Sequence, residues 1–452
     1  MNRKPRLFVL CFPHLGMLDN WMPTINEINN MANYINFTLI VPDPNILKSF
    51  NKDNAIINIS NNLFDTCLIH AYDDIWVSNI SVFESMDWYK KNRVALRVYN
   101  IFKSLMNNSF FYYILMWPLK LLQNYIYKKE FRLKHDMLKN SITHMDALLY
   151  DIHVENNSKV FDILQLFKNN RKYSLPHALS MLIYEDQLPK LVNINNKSNI
   201  RTYVYAKFQS EHYFLKYKIN KSDVRIVGIP RHSQEWIKTV QRLSCNLPKY
   251  FENDDTIVIL SRQVSDALLL FDEKVESVKN IKKIFIDRLG MKVVIKAHPN
   301  EIHERVFTNK KENVYEDVFG LDNYGITWIY SNMHVFALGK GKRLAISFNT
   351  GVVIDMIAMG VPCVEYIESN IKSDSSERKL TEFSRYGLFS RYGLVERVSS
   401  YNELCTYVDK WLINPDQISK LSKNAYNKYF LASNNRATTE ILQENNINIG
   451  SR

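Results

Sequence analysis

Apolar and polar positions along this chain come in blocks rather than strict alternation. Short apolar runs at residues 7–12, 37–41, 147–150, 203–206 and 225–227 are separated by longer mixed segments. A second series follows at 256–260, 292–296, 325–330, 343–346 and 361–366, with helical patterns at about 265–289 and 352–359 between its members. The tail, about 401–443, has a helical pattern throughout. Continuous apolar runs suit strands buried on both faces, and their alternation with helical segments predicts βα units and parallel sheets. Apolar periodicity fades over 236–255, around Asn246-Leu247-Pro248. That break predicts a first Rossmann-like domain over 1–240 and a second over 241–452 that carries the helical tail.

One block departs from this rhythm. Residues 88–140 are helical in pattern and strongly basic, with Lys120, Lys128 and Lys129 among the cations and only Glu130 and Asp136 against them. The centre, 110–122, is rich in aromatic and aliphatic residues, and Pro118 predicts a kink there. Two readings stand: a segment lying in the interface of an anionic membrane, or aromatics packed inside the first domain beneath solvated lysines.

The 452-residue length asks for more than one core, and 46% hydrophobic against 23% charged content describes a globular chain. A net charge of +12 favours anionic partners: nucleic acid, lipid headgroups or phosphorylated substrates. No helix-turn-helix, zinc-finger or RNA-recognition motif accompanies that charge, so no nucleic-acid partner is expected. The five cysteines are scattered without a C-x-x-C pair, which speaks against a metal or redox motif and suits a reducing compartment. The basic start and short apolar run at the N-terminus read as a buried first strand rather than a signal peptide. No stretch of about 18 apolar residues occurs, so no spanning helix is expected. The expected location is cytoplasmic, including peripheral attachment to the inner membrane's cytoplasmic face.

Two segments carry the chemistry. In Val293-Val-Ile-Lys-Ala-His298-Pro299-Asn300-Glu301, a buried strand delivers His298 to the carboxyl end of a sheet, where α/β proteins bind ligands. An imidazole beside free helix N–H groups suits a phosphate; a histidine that merely caps the strand is the plain alternative. In the segment from Ala345 to Glu365, strand, polar turn and helix recur. Ser347, Asn349 and Thr350 place donors at a helix N-terminus, Gly351 allows close backbone approach, and Asp355 follows one turn later. Ser261-Arg262, directly after the run at 256–260, offers a cation for phosphate, or an ordinary surface arginine.

Together these segments resemble the nucleotide-binding half of GT-B glycosyltransferases. They are closest to bacterial surface-polysaccharide enzymes with a His-Pro motif and a later Ser/Thr motif, such as polysialyltransferases and β-Kdo transferases. CDP-glycerol glycerophosphotransferases and non-hydrolysing UDP-GlcNAc 2-epimerases are similar in outline. The resemblance implies two facing Rossmann-like domains with a cleft between them. It implies a nucleotide-sugar donor, CMP-linked by preference, with no tightly bound cofactor and no metal. It also implies an oligosaccharide or lipid-linked acceptor. Carried over, His298, Ser347 and Thr350 hold the phosphate, and Asp355 stands where many relatives have a ribose-binding glutamate. On the acceptor side, Asp19 in Pro13-His14-Leu-Gly16-Met-Leu-Asp19-Asn20 is a candidate general acid or base, with a helix N-cap as its alternative. Leu175-Pro176-His177-Ala178 is similar to a strand-end turn whose histidine can act as base, though alanine replaces the usual glycine. Glu185 and Asp186 follow nearby. Val227-Gly228-Ile-Pro230-Arg231 resembles the turn that closes the first domain and reads as architectural. The hexapeptide Phe-Ser-Arg-Tyr-Gly-Leu, repeated at 383–388 and 389–394, reads as a duplicated surface loop. Other readings are a CDP-glycerol-type transferase, a UDP-sugar epimerase, a non-catalytic scaffold and a nucleic-acid-binding protein.

Overall fold

The computed structural model describes residues 5–13, 15–32, 34–42, 46, 54–69, 75–78, 138–155, 157–176, 199–252, 255–264, 269–298, 301, 313–369, 388–430 and 436–447. The basic block at 88–140, except its last three residues, lies outside them. So do His14, His177, Glu185, Asp186 and all but the last residue of the first hexapeptide copy.

The first half builds one sheet from β1 (Arg6–Leu10), β2 (Asn36–Val41), β3 (Thr66–Ile69), β4 (Ile75–Ser78), β5 (Ala147–Tyr150), β6 (Arg171–Ser174), β7 (Ile200–Val204) and β8 (Val224–Ile226). Their order is β4-β3-β2-β1-β5-β6-β7-β8, parallel everywhere except between β3 and β4. The second half builds another from β9 (Thr256–Leu260), β10 (Lys292–Lys296), β11 (Trp328–Ser331), β12 (Ala345–Ser347), β13 (Cys363–Tyr366) and β14 (Glu396–Val398). Its order is β11-β10-β9-β12-β13-β14, parallel throughout. Chain order reverses at β1 in the first sheet and at β9 in the second. Crevices for ligands open at the carboxyl ends of the strands at such points.

The apolar runs explain the central strands. All five residues of β9 are buried. Ile257 and Ile259 join one core with Val293 and Ile295, whereas Val258 and Leu260 join the other with Val294. Each strand thus feeds both faces, as a doubly covered sheet requires. The helical pattern at 265–289 is realised as a helix over Phe271–Ile281 that passes into a π-helical stretch, Lys282–Arg288.

The tail forms three helices, Tyr401–Ile413, Pro415–Tyr429 and Arg436–Glu444. Trp411 of the first packs in the core of the second sheet. The third returns to the first sheet: Glu444 accepts from Arg201 Nη2 at 2.7 Å and from the Tyr173 hydroxyl at 3.0 Å, and the Thr438 hydroxyl donates to Glu27. The two halves also meet through aromatic rings. Phe208, on the helix Lys207–Tyr217, stacks on Tyr392 with centroids 4.7 Å apart. Tyr392 belongs to the second hexapeptide copy, whose Phe389 and Leu394 are buried; this copy is therefore packed into the core rather than looped on the surface. Among the described residues, no helix is long and apolar enough to cross a membrane.

Candidate functional site

The second sheet gathers the predicted phosphate residues at its carboxyl end. Ser347 closes β12, and its Oγ accepts the Thr350 N–H at 3.1 Å, a cap that draws the chain into a tight turn. Asn349 sits in the left-handed region at φ 55°, a conformation asparagine tolerates better than most residues. A Cβ built on Gly351 meets nothing within 4 Å, so open space adjoins the turn where the short helix Val353–Ala358 begins. Ser347 and Thr350 are buried.

Arg262, two residues beyond β9, donates through Nη1 to the Asn349 carbonyl and so lies against this turn. Lys274 donates to the Arg262 carbonyl at 3.0 Å and also pairs with Glu301. Glu301 is a hub: it accepts the Ser261 hydroxyl at 2.7 Å and the His298 backbone N–H at 2.6 Å. It thereby ties the loop after β10 to the loop after β9. Burial pushes the His298 imidazole below the ordinary histidine pKa; Glu301 draws it back up, while Arg262 and Lys274 push it down. At neutral pH the ring is neutral, and the local cations are Arg262 and Lys274. The structure thus joins Arg262 to the turn at 347–351 and places His298 within reach of the charge of both cations.

Asp19 and Asp355, the latter on the helix that follows this turn, belong to a buried network between the two halves. The helix Leu15–Met31 begins four residues before Asp19, which therefore sits inside it rather than at its N-cap. Asp19 Oδ2 accepts from Arg231 Nη1 at 2.6 Å, and Oδ1 faces His334 Nε2 at 3.2 Å. Arg231 Nη2 donates to Asp355 Oδ2, also at 2.6 Å. Asp355 Oδ1 meets His232 Nε2 at 2.6 Å, and His232 Nδ1 meets the Tyr426 hydroxyl at 2.8 Å. Burial alone raises the Asp19 carboxyl, but the charge and hydrogen bonds of His334 and Arg231 outweigh it and hold the pKa well below the carboxylate range. Burial pushes His232 below the ordinary histidine value despite the pull of Asp355. The neutral ring donates from Nε2 to Asp355 and accepts at Nδ1 from Tyr426, a tautomer assigned from its partners.

This geometry changes two expectations. The resemblance puts Asp355 at a ribose, yet both its oxygens are bonded within the network. Asp19, the candidate acid or base, is an ionised partner of Arg231. Arg231, whose turn reads as architectural in the sequence, is the centre of the assembly, and no sequence motif marks His232 or His334 as part of it. The Gly-Ile-Pro-Arg turn was the available clue, since Gly228 at φ 74° reverses the chain and aims the arginine inward. Next to this network, the Pro176 carbonyl accepts from Asn20 at 3.0 Å and from the Tyr205 hydroxyl. The segment leading into His177 is thereby pinned beside the helix of Asp19.

No family model matches the sequence, and no curated protein matches it. Solved structures match over the whole chain. The chain is similar to the S. aureus MnaA–UDP co-structure, with 10% identity, a TM-score of 0.55 and 99% of each chain covered. It is similar to a UDP-N-acetylglucosamine 2-epimerase, with 11% identity, a TM-score of 0.54, and 100% of this chain and 99% of that one covered. A third likeness is to the wall teichoic acid polymerase TagF, with 12% identity, a TM-score of 0.50, and 98% of this chain and 88% of that one covered. The fold is of the GT-B type. In GT-B terms, the turn at 347–351 and the loops after β9 and β10 belong to the second Rossmann-like domain, and the Asp19–Arg231–Asp355 bridge joins the two domains.

Proposed function

We propose that this chain is a glycosyltransferase that takes a nucleotide-activated sugar and extends a bacterial cell-surface glycan. One observation carries the reading: at the switch point of the second sheet, Arg262 is hydrogen-bonded onto the open turn 347–351, Lys274 is bonded to the Arg262 carbonyl, and His298 lies in the field of both cations. A guanidinium bonded to a turn with open space beside it, and a neutral imidazole in the field of the same guanidinium, suit the phosphates of a leaving nucleotide, whose developing charge the cation stabilises. Arg262, His298, Ser347, Asn349, Thr350 and Gly351 form the donor side, and no step in the scheme calls for a metal. The paired His-Pro and Ser/Thr motifs favour a CMP-linked acidic sugar of the Kdo or sialic acid type. On the acceptor side we assign the proton transfer to His177. Asp19 acts through Arg231 and His334, because a carboxylate held so acidic is a poor base. The acceptor is an oligosaccharide or lipid-linked glycan, reached on the cytoplasmic face of the membrane with the block at 88–140 as its attachment.

A second reading, a UDP-sugar epimerase, draws support from the MnaA likeness, a structure obtained with UDP. Thermal-shift titration with CMP, CDP and UDP separates the two. Stabilisation by CMP, lost in His298→Ala, supports the transferase. Stabilisation by UDP alone supports the epimerase, and no shift with any nucleotide sinks both.

A further inference from the structure

Glu365 is third in β13 and 2% exposed, and neither carboxylate oxygen has a hydrogen-bond partner. An ionised carboxylate buried without bonds costs several kcal/mol unless charge nearby compensates it. Residues in register on parallel strands share a face, and Glu365 is in register with Ser347 on β12 and with Arg397 on β14. It therefore stands in one row with the residue that opens the phosphate turn. The second cation whose field reaches it is Arg262, the arginine bonded to that turn. Among the described residues, the remaining titratable group in its field is the Cys363 thiol on its own strand. Compensation thus comes from charge at a distance. Burial raises the carboxyl and Arg397 and Arg262 lower it, leaving it at about 7.

We infer that Glu365 takes up a proton when an anionic donor phosphate occupies the turn at 347–351, so that donor binding is linked to the charge of this side chain. The inference rests on the donor-site reading above. A phosphate on the turn draws on the field of Arg262 and adds negative charge to the same face. Of the influences on Glu365, burial stays, one cation is spent and a like charge arrives. All of these favour the neutral acid. Linkage then requires donor affinity to fall as pH rises through the range where the free protein has lost this proton and the complex keeps it. Glu365 acts here as a positioning residue, through Arg262.

Calorimetric titration of the full chain with CMP, CDP and UDP, in buffers of different ionisation enthalpy slightly above neutral pH, tests this. Wild type should show buffer-dependent heat corresponding to uptake of up to about one proton, with affinity falling by up to about tenfold per pH unit. Glu365→Gln should bind with less uptake and a flatter pH profile; the nucleotide's own phosphate titrates alike in both, so the difference isolates the side chain. Arg397→Gln, which keeps the carboxyl, should move the range of uptake to higher pH. Equal uptake in wild type and Glu365→Gln, or binding by wild type without uptake, overturns the inference and leaves the donor site standing. No binding of any nucleotide by wild type overturns the donor site and the inference together.

Discussion

Asp19 in the first domain and Asp355 in the second are joined by one guanidinium: each accepts a 2.6 Å hydrogen bond from Arg231, at Oδ2 in both cases. Both carboxylates are buried. Two anions are thus held together by a single cation, and the two domains with them. Arg231→Met leaves both without their shared partner. Breaking a buried pair in this way costs about 3–5 kcal/mol, which urea denaturation should register. Adding Asp19→Asn to Arg231→Met should cost less than the sum of the two changes, because they remove the same contact. Strict additivity in that cycle refutes the coupling.

Stability should respond to acid in two steps. His232 has a lowered folded pKa, so the unfolded chain binds its proton first, from about pH 6.5 downward, while the folded ring stays neutral. Stability therefore declines as pH falls below that point, by at most about 1.4 kcal/mol per unit for this group. Asp19, also depressed, contributes stability that is complete above the ordinary carboxylate range and is lost as pH falls through it toward the folded value. His232→Gln should flatten the first decline and Asp19→Asn the second, in denaturant midpoints measured across pH. An unchanged profile in either variant removes that group from the network's titration.

Donor binding should separate from folding at the second sheet. His298→Ala removes a half-buried ring and should weaken donor binding by about 1.5–3 kcal/mol, with little change in melting temperature. Ser347→Ala with Thr350→Ala removes the cap at the turn, worth about 1 kcal/mol of stability, and should also raise the donor's KM. If the double variant melts earlier but keeps its KM, the two residues are caps alone.

Membrane attachment through the block at 88–140 predicts cosedimentation with anionic but not neutral vesicles. Each cation near such a surface is worth about 1 kcal/mol, so changing Lys120, Lys128 and Lys129 to Glu should release much of the protein, as should added salt. A protein left in the supernatant with anionic vesicles at low salt excludes the attachment.

The parts of the fold that could be read in advance are those where a strand is apolar on both faces. β9 and β10 fall where their runs predict, at 256–260 and 292–296. β6 reads Arg-Lys-Tyr-Ser and carries no such signature, yet it buries Lys172 and Tyr173, the lysine 3.9 Å from Glu155. Its strand character comes from its neighbours β5 and β7. The tight turn at 347–351 was legible because all its residues lie within one short segment. The interdomain network was not: Arg231 is 212 residues from Asp19 and 124 from Asp355. No local window links an arginine to carboxylates at such distances.

The helix Arg436–Glu444 leaves the ribosome after every other described element, yet its partners Arg201, Tyr173 and Glu27 belong to the half made first. Synthesis of the first domain is therefore finished long before its packing is, and a helix made after the whole second sheet completes the first part of the fold. A premature stop before Arg436 would leave the turn at 347–351 of the second domain whole and injure the first. For the same reason, cutting the chain between its two sheets does not yield two intact domains.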